Sequence, residues 1–152
     1  MFEKAKNHLT KYNLENRIIE FSVSTATVTL AAEALGITEG EIAKTMAFLV
    51  GDKAILVVVA GDKRIDNAKF KACFHVKAKM ISHEEVEKIV GHAAGGVCPF
   101  GINDNIKVYL DESLKVYQYV YPACGNAASA VKLLISELEL ASNYVEWVDI
   151  CK

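Results

Sequence analysis

The sequence predicts an α+β fold over residues 1–152, a single domain whose central mixed, mostly antiparallel, partly barrel-like sheet is flanked by helices. Three observations carry this reading. Strand-like runs follow one another with helices interspersed, which argues against regular βαβ winding. The clearest runs, AKTMAFLV at 43–50 and AILVVVA at 54–60, flank a Gly51-Asp52-Lys53 turn and read as a hairpin. Both runs are apolar on both faces, so they belong in the middle of a sheet covered on each side.

The other elements follow in order. Phe2, Ala5, Leu9 and Tyr12 recur at helical spacing and predict an amphipathic helix over 2–14. IIEFSV at 18–23 is rich in strand formers. TVTLAAEALG at 27–36 predicts a helix stopped by Gly36, with Thr25 in the loop before it. A short helix around 66–73 and a strand near 77–81 come next. Ser82 and Glu85 form a capping box for a helix ending at Gly91. After the glycine-rich GHAAGGVCPFG at 91–101, strands are expected near 106–110, 116–121 and 130–134. Ser136 and Glu139 would cap a last short helix, and YVEWV at 144–148 would close the sheet.

Composition narrows the function. Of the 152 residues 52% are hydrophobic and 24% charged, which suits one folded core and disfavours disorder. Seventeen basic against nineteen acidic residues give a net charge of -2, so the chain is no general nucleic-acid coat or polybasic membrane binder. The longest apolar stretch, AILVVVA, is far too short to span a bilayer. The opening MFEKAKNHLTKY lacks the apolar core of a secretory signal. Cys73, Cys98, Cys124 and Cys151 lie about 25 residues apart and match neither a dense disulfide framework nor a common zinc pattern. A reduced, cytoplasmic protein is the expectation.

Four features could carry chemistry. Lys44 lies in a run otherwise without charge, so its ammonium must snorkel to water, pair, or face a polar cavity ready for an anion or a polarised carbonyl. In the loop, Gly95-Gly96 lets the backbone approach a ligand and turn N–H groups toward it, and Pro99 stiffens the far side; a plain helix-to-strand connection would look similar. Cys98 with His92 could form a thiol nucleophile, and Cys124 sits in the turn YPACGN, although free cysteines are usually small buried hydrophobes. Between residues 62 and 79, six basic residues face two acidic ones, a solvated face or a small footprint for an RNA end.

Taken together, four stretches resemble the YbaK/EbsC family of aminoacyl-tRNA editing domains, related to the insertion domain of bacterial prolyl-tRNA synthetase. They are STATVTLAAEALGI at 24–37, IAKTMAF at 42–48, AGDKRID at 60–66 and GHAAGGVCPFG at 91–101. The resemblance spans about residues 18 to 140 and implies hydrolysis of the ester of mischarged tRNA, with largely substrate-assisted chemistry and neither metal nor cofactor. Carried over by position, Lys44 would contact the terminal nucleotide or the ester region. Gly95 and Gly96 would orient the aminoacyl carbonyl. Val97, Cys98 and Pro99 of the loop, Thr25, Thr45 and the Cys124-Gly125-Asn126 turn would line the pocket, and Lys63 and Arg64 would touch RNA. The implied partner is the acceptor end of a mischarged tRNA, with prolyl-tRNA synthetase a candidate second partner. Two departures stand out: Cys98 where proline is common, and CGNAAS at 124–129 in place of the Gly-Lys/Arg-Arg-Gly pattern of cysteinyl-tRNA(Pro) deacylases. They motivate a second hypothesis, a non-catalytic module holding a tRNA end, nucleotide or amino acid.

Overall fold

The apolar hairpin forms the centre of the molecule. In the computed structural model, which describes residues 1–152, β2 (Ile42–Val50) pairs antiparallel with β3 (Lys53–Ala60) from Ala43–Ala60 to Val50–Lys53. Gly51 opens the turn at a φ of 66°. On the far side of β3 lie β4 (Lys107–Asp111) and then β8 (Trp147–Val148), both parallel. On the far side of β2 lie β5 (Tyr119–Pro122), parallel, and then β7 (Leu133–Leu134), antiparallel. The sheet is therefore mixed, in the order β7-β5-β2-β3-β4-β8. A separate antiparallel ladder joins β1 (Ile18–Glu20) to β6 (Ser129–Val131).

Both faces of the hairpin are covered, as its composition requires. Leu56, Val58 and Ala60 of β3 share one core with Ala5 and Leu9 of α1 (Phe2–Thr10), Val86 and Val90 of α4 (His83–Val90), and Leu138 of α5 (Ile135–Ser142). The alternate residues Ile55, Val57 and Val59 share the other with Phe48, Val148, Ile150 and Phe70 of α3 (Asn67–Phe74). Phe70 is fully buried, with ring centroids 4.8 Å from both Phe48 and Phe74. Burying such a side chain contributes about 2–3 kcal/mol.

Local signals set most boundaries. Thr27 caps α2 (Val28–Leu35) by accepting the Leu30 N–H, and Gly36 ends it at a φ of 69°. Ser82 accepts from the Glu85 N–H at the start of α4. Several boundaries differ from the sequence expectation. The first helix stops at Thr10, and Leu14 returns its N–H to Leu9 O after Asn13 takes a left-handed turn. The expected strand at 77–81 is only a bridge between Met80 and Phe48. The segment 112–116 coils into a 3₁₀ turn before β5 begins. The expected strand at 130–134 divides because Val131 pairs with Ile18 while Leu133 pairs with Val120, so the chain crosses from one ladder to the other. The last helix starts at Ile135, and its cap is Glu137, whose carboxylate accepts the Leu134 N–H and pairs with Arg17 at 2.8 Å. Glu139 instead accepts from the Tyr144 hydroxyl and the Trp147 indole.

Candidate active site

Strand β2 is paired incompletely on its outer edge, and a cavity forms there. It pairs with β5 only at Ile42 and Ala43. Its edge is met again at Ala47, whose carbonyl accepts from Ile81 N–H, and at Phe48, which bridges to Met80. Between these contacts lies a hollow of about 340 Å³. Every residue from Ile42 to Ala47 lines it. Successive strand residues point to opposite faces, so a cavity touching all of them wraps an open edge.

Lys44 stands in this gap, opposite Val59. It is half-buried and makes no ion pair or hydrogen bond. Its neighbour Thr45 and, across the hollow, Thr25 carry buried hydroxyls with no hydrogen-bond partner. Leaving such a hydroxyl unpaired costs about 1–3 kcal/mol. The rest of the wall is mostly apolar, from Val28, Ala31, Ile81, Val86 and Ala130. No carboxylate or thiol lines it.

The glycine loop closes another side. Ala94, Gly95 and Val97 face the cavity. Gly95 holds a φ of 91°, a conformation L side chains rarely adopt, and an added Cβ would meet Ala26 at 3.1 Å. Gly96 faces away and does a different job. Its carbonyl accepts the Gly125 N–H at 2.9 Å, and a Cβ there would sit 2.5 Å from Asn126 N. It lets two backbones touch, and that contact holds the loop in place.

Comparison with known proteins adds the family. The model of the aminoacyl-tRNA editing domain matches residues 23–140. The chain belongs to the aminoacyl-tRNA editing domain family. It is 46% identical over 151 residues to "Uncharacterized protein YwhH" of Bacillus subtilis, covering 99% of this chain and 96% of that one. It is 30% identical over 105 residues to the "Putative Cys-tRNA(Pro)/Cys-tRNA(Cys) deacylase EbsC" of Enterococcus faecalis, covering 67% and 63%. A crystal structure of "a putative trans-editing enzyme for prolyl tRNA synthetase" superposes with a TM-score of 0.89 at 28% identity, covering 99% and 96%.

Within this editing domain the expected pocket residues divide. Thr25, Lys44, Thr45, Gly95 and Val97 line the cavity. Gly96, Cys98, Pro99, Cys124, Gly125 and Asn126 do not. Cys98 and Cys124 are fully buried in the larger core. The Cys98 thiol lies 3.6 Å from His92 Nε2 and donates to Phe100 O. Burial drives its pKa up, the reverse of what a thiolate nucleophile needs, and pushes Cys124 up to about 12. Asn126 turns its Oδ1 inward to accept from Ala128 N–H and the Ser129 hydroxyl. Lys63 and Arg64 are exposed just past the end of β3, at the end of the hairpin that carries Lys44. Lys69, from the same basic stretch, is held by Asp149 at 3.1 Å and by Cys151 O.

Sequence reasoning named five of the 22 lining residues and missed the others, among them His83, Met80 and Tyr121. His83, the first residue of α4, lines the cavity one turn before Val86, the i, i+3 spacing that could have flagged it. Met80 lines it while remaining 57% exposed. Tyr121 enters because β5 pairs it with Ile42, which no local signal announced. No helix is long and apolar enough to cross a membrane.

Proposed function

We propose that this editing domain acts in trans as an aminoacyl-tRNA deacylase, hydrolysing the ester between a mischarged amino acid and the terminal adenosine. One observation carries the reading: Lys44, which has no ion-pair partner, the left-handed Gly95, and Thr25 and Thr45 all line one cavity of about 340 Å³ with no carboxylate or thiol in its wall. Such a site offers positioning and carbonyl polarisation, with no protein carboxylate or thiol to act as nucleophile. An aminoacyl ester needs little more, because it is already activated and its neighbouring ribose hydroxyl can deliver water. The water oxygen bonds to the carbonyl carbon and the bond to the ribose oxygen breaks. The proton passes to that ribose oxygen, leaving free amino acid and uncharged tRNA.

In this scheme Lys44 neutralises the terminal nucleotide or the ester oxygen, and the Gly95 backbone orients the aminoacyl carbonyl while Gly96 holds the loop. Thr25 and Thr45 supply hydroxyls to the substrate's polar groups. Lys63 and Arg64 grip the RNA end, which suits a chain with few phosphate contacts and a net charge of -2. The mostly apolar walls of the cavity would act as the sieve between amino acids. The relatives' descriptions favour tRNA(Pro), with prolyl-tRNA synthetase as partner, and a tRNA substrate places the reaction in the cytoplasm.

The test is single-turnover deacylation of a panel of mischarged tRNAs by wild type and Lys44→Ala. Cleavage of at least one by wild type, with a much slower variant, is the expected result. Failure on every tRNA, or equal rates for both proteins, overturns the proposal. Tight binding of an aminoacyl-adenosine analogue without turnover would establish the non-catalytic module instead.

A further inference from the structure

A second hollow, of about 500 Å³, lies behind the glycine loop, and its chemistry is the opposite of the first. One wall is a stripe of α1 and its C-terminal cap: Lys4, Asn7, His8 and Lys11, at the i, i+3, i+4, i+7 spacing of one helical face. The other face of the helix carries Ala5 and Leu9 into the core, so this stripe is the one an amphipathic helix ordinarily gives to open water. Here it faces a concavity. Asn103, Asn105 and Asn143 also line it, as do Pro99 and Gly101.

Charge and hydrogen bonding single the hollow out. Neither Lys4 nor Lys11 has an ion pair, and the only carboxylate lining the space, Asp104, has none either. Two ammonium groups therefore outweigh one acid. Independently, Ser142 lines the same space with its side chain 1% exposed and its hydroxyl unpartnered. A fully buried polar atom on the wall of a polar hollow is a group that a ligand would satisfy. The hollow offers no free ring for stacking a base. The His8 ring packs against Tyr12 and Phe100 at 5.7 and 5.8 Å, and its Nε2 donates to Ala141 O at 2.6 Å.

We propose that this hollow is a second binding site, for a phosphate group held by Lys4, Lys11 and the Ser142 hydroxyl. The phosphate comes from the backbone of a tRNA or from a free phosphate ligand; the tRNA source rests on the proposed function, the site itself does not. An occupant would also touch the catalytic loop. Gly101 packs so closely on α1 that a Cβ there would meet Lys4 O at 2.4 Å, and the same 91–101 segment presents Gly95 to the first cavity.

The experiment compares wild type, Lys4→Gln/Lys11→Gln and Ser142→Ala, using uncharged tRNA and inorganic phosphate as probes. Amide signals of residues 4–11 and 99–106 should move on titrating phosphate into wild type and stay still in the double variant. Ser142→Ala should weaken phosphate binding without lowering the melting temperature. The double variant should bind uncharged tRNA about tenfold more weakly, with the salt slope reduced by about two. Phosphate shifts with unchanged tRNA affinity would assign the site to a free phosphate ligand. Absence of those shifts, together with unchanged tRNA affinity, overturns the proposal. Since both probes lack an ester, that failure is distinct from a failure of deacylation.

Discussion

On its front, the 91–101 segment gives Ala94, Gly95 and Val97 to the cavity; on its back it gives His92, Cys98 and Phe100 to the core. The two sides treat polar groups differently. Behind the loop most are paired: His92 Nε2 donates to Phe100 O at 2.6 Å, Cys98 reaches the same carbonyl, and Asn126 Oδ1 accepts two hydrogen bonds, although His92 Nδ1 has no partner. In front, Lys44 and the hydroxyls of Thr25 and Thr45 have no partner. The rear is organised for stability. The front keeps its donors free at a cost in stability, which is the expected mark of a binding surface.

The two glycines break this comparison most sharply. Gly96→Ala forces a Cβ against the backbone of Asn126, which cannot yield as a side chain can. We expect a loss of about 3 kcal/mol in urea denaturation, with activity falling in step with the folded fraction. Gly95→Ala makes looser contacts, with Ala26 Cβ at 3.1 Å, Ala26 Cα at 3.3 Å and Ala127 Cβ at 3.5 Å, and adds the penalty of its positive φ, so about 1 kcal/mol is expected. Its larger effect should be on deacylation, through a narrowed cavity. If Gly95→Ala proves the more destabilising, front and rear have been assigned the wrong way round. Lys44→Ala comes next. Deacylation should slow about 100-fold, or about 2.7 kcal/mol of barrier, with the urea midpoint almost unmoved because the ammonium has no partner to lose.

Much of the fold was legible because it follows from local rules. The two-faced hairpin, the Thr27 and Ser82 caps and the glycine stops at 36 and 91 all rest on residue type and short spacing. The candidate cavity was half legible. Lys44 betrayed itself as a lone charge in an apolar run. In the loop, however, Val97 faces the cavity and Cys98 the core, and irregular backbone has no period from which to read that alternation. Likewise, nothing local said that β5 would release β2 after Ala43, the event that opens the cavity. Of the departures from the family pattern, Cys98 and residues 124–128 lie off the wall, whereas Ser129, the last residue of CGNAAS, lines the cavity.

The rear should reveal itself through pH. His92 is fully buried, and loss of hydration holds its pKa below the ordinary 6.5. The unfolded chain takes up a proton near that value and the native imidazole does not, so stability should fall as pH drops below 6.5, by at most about 1.4 kcal/mol per unit. The buried thiols act at the other end. Their native pKa values are raised above 9.0, so the unfolded chain ionises first and stability declines as pH rises past that point. Urea midpoints between pH 5 and pH 10 test both arms, and Cys98→Ala should weaken the alkaline one while leaving deacylation within about threefold. A native Cys98 that reacts rapidly with a thiol reagent at pH 8 would contradict its place in the core.

The smallest effect is the most discriminating. Thr25→Val and Thr45→Val keep the shape of each side chain and remove a buried hydroxyl that bonds to nothing. Were these residues structural like those behind the loop, the change would destabilise, as losing any satisfied hydrogen bond does. Facing the cavity, they should behave in the opposite sense, each substitution raising stability by about 0.5–1 kcal/mol while slowing deacylation several-fold. Their combination should be close to additive in stability, since neither hydroxyl has a partner to share. Stabilisation with full activity would mean the substrate never reaches these hydroxyls, and the walls that select the amino acid would have to be sought among the apolar residues alone.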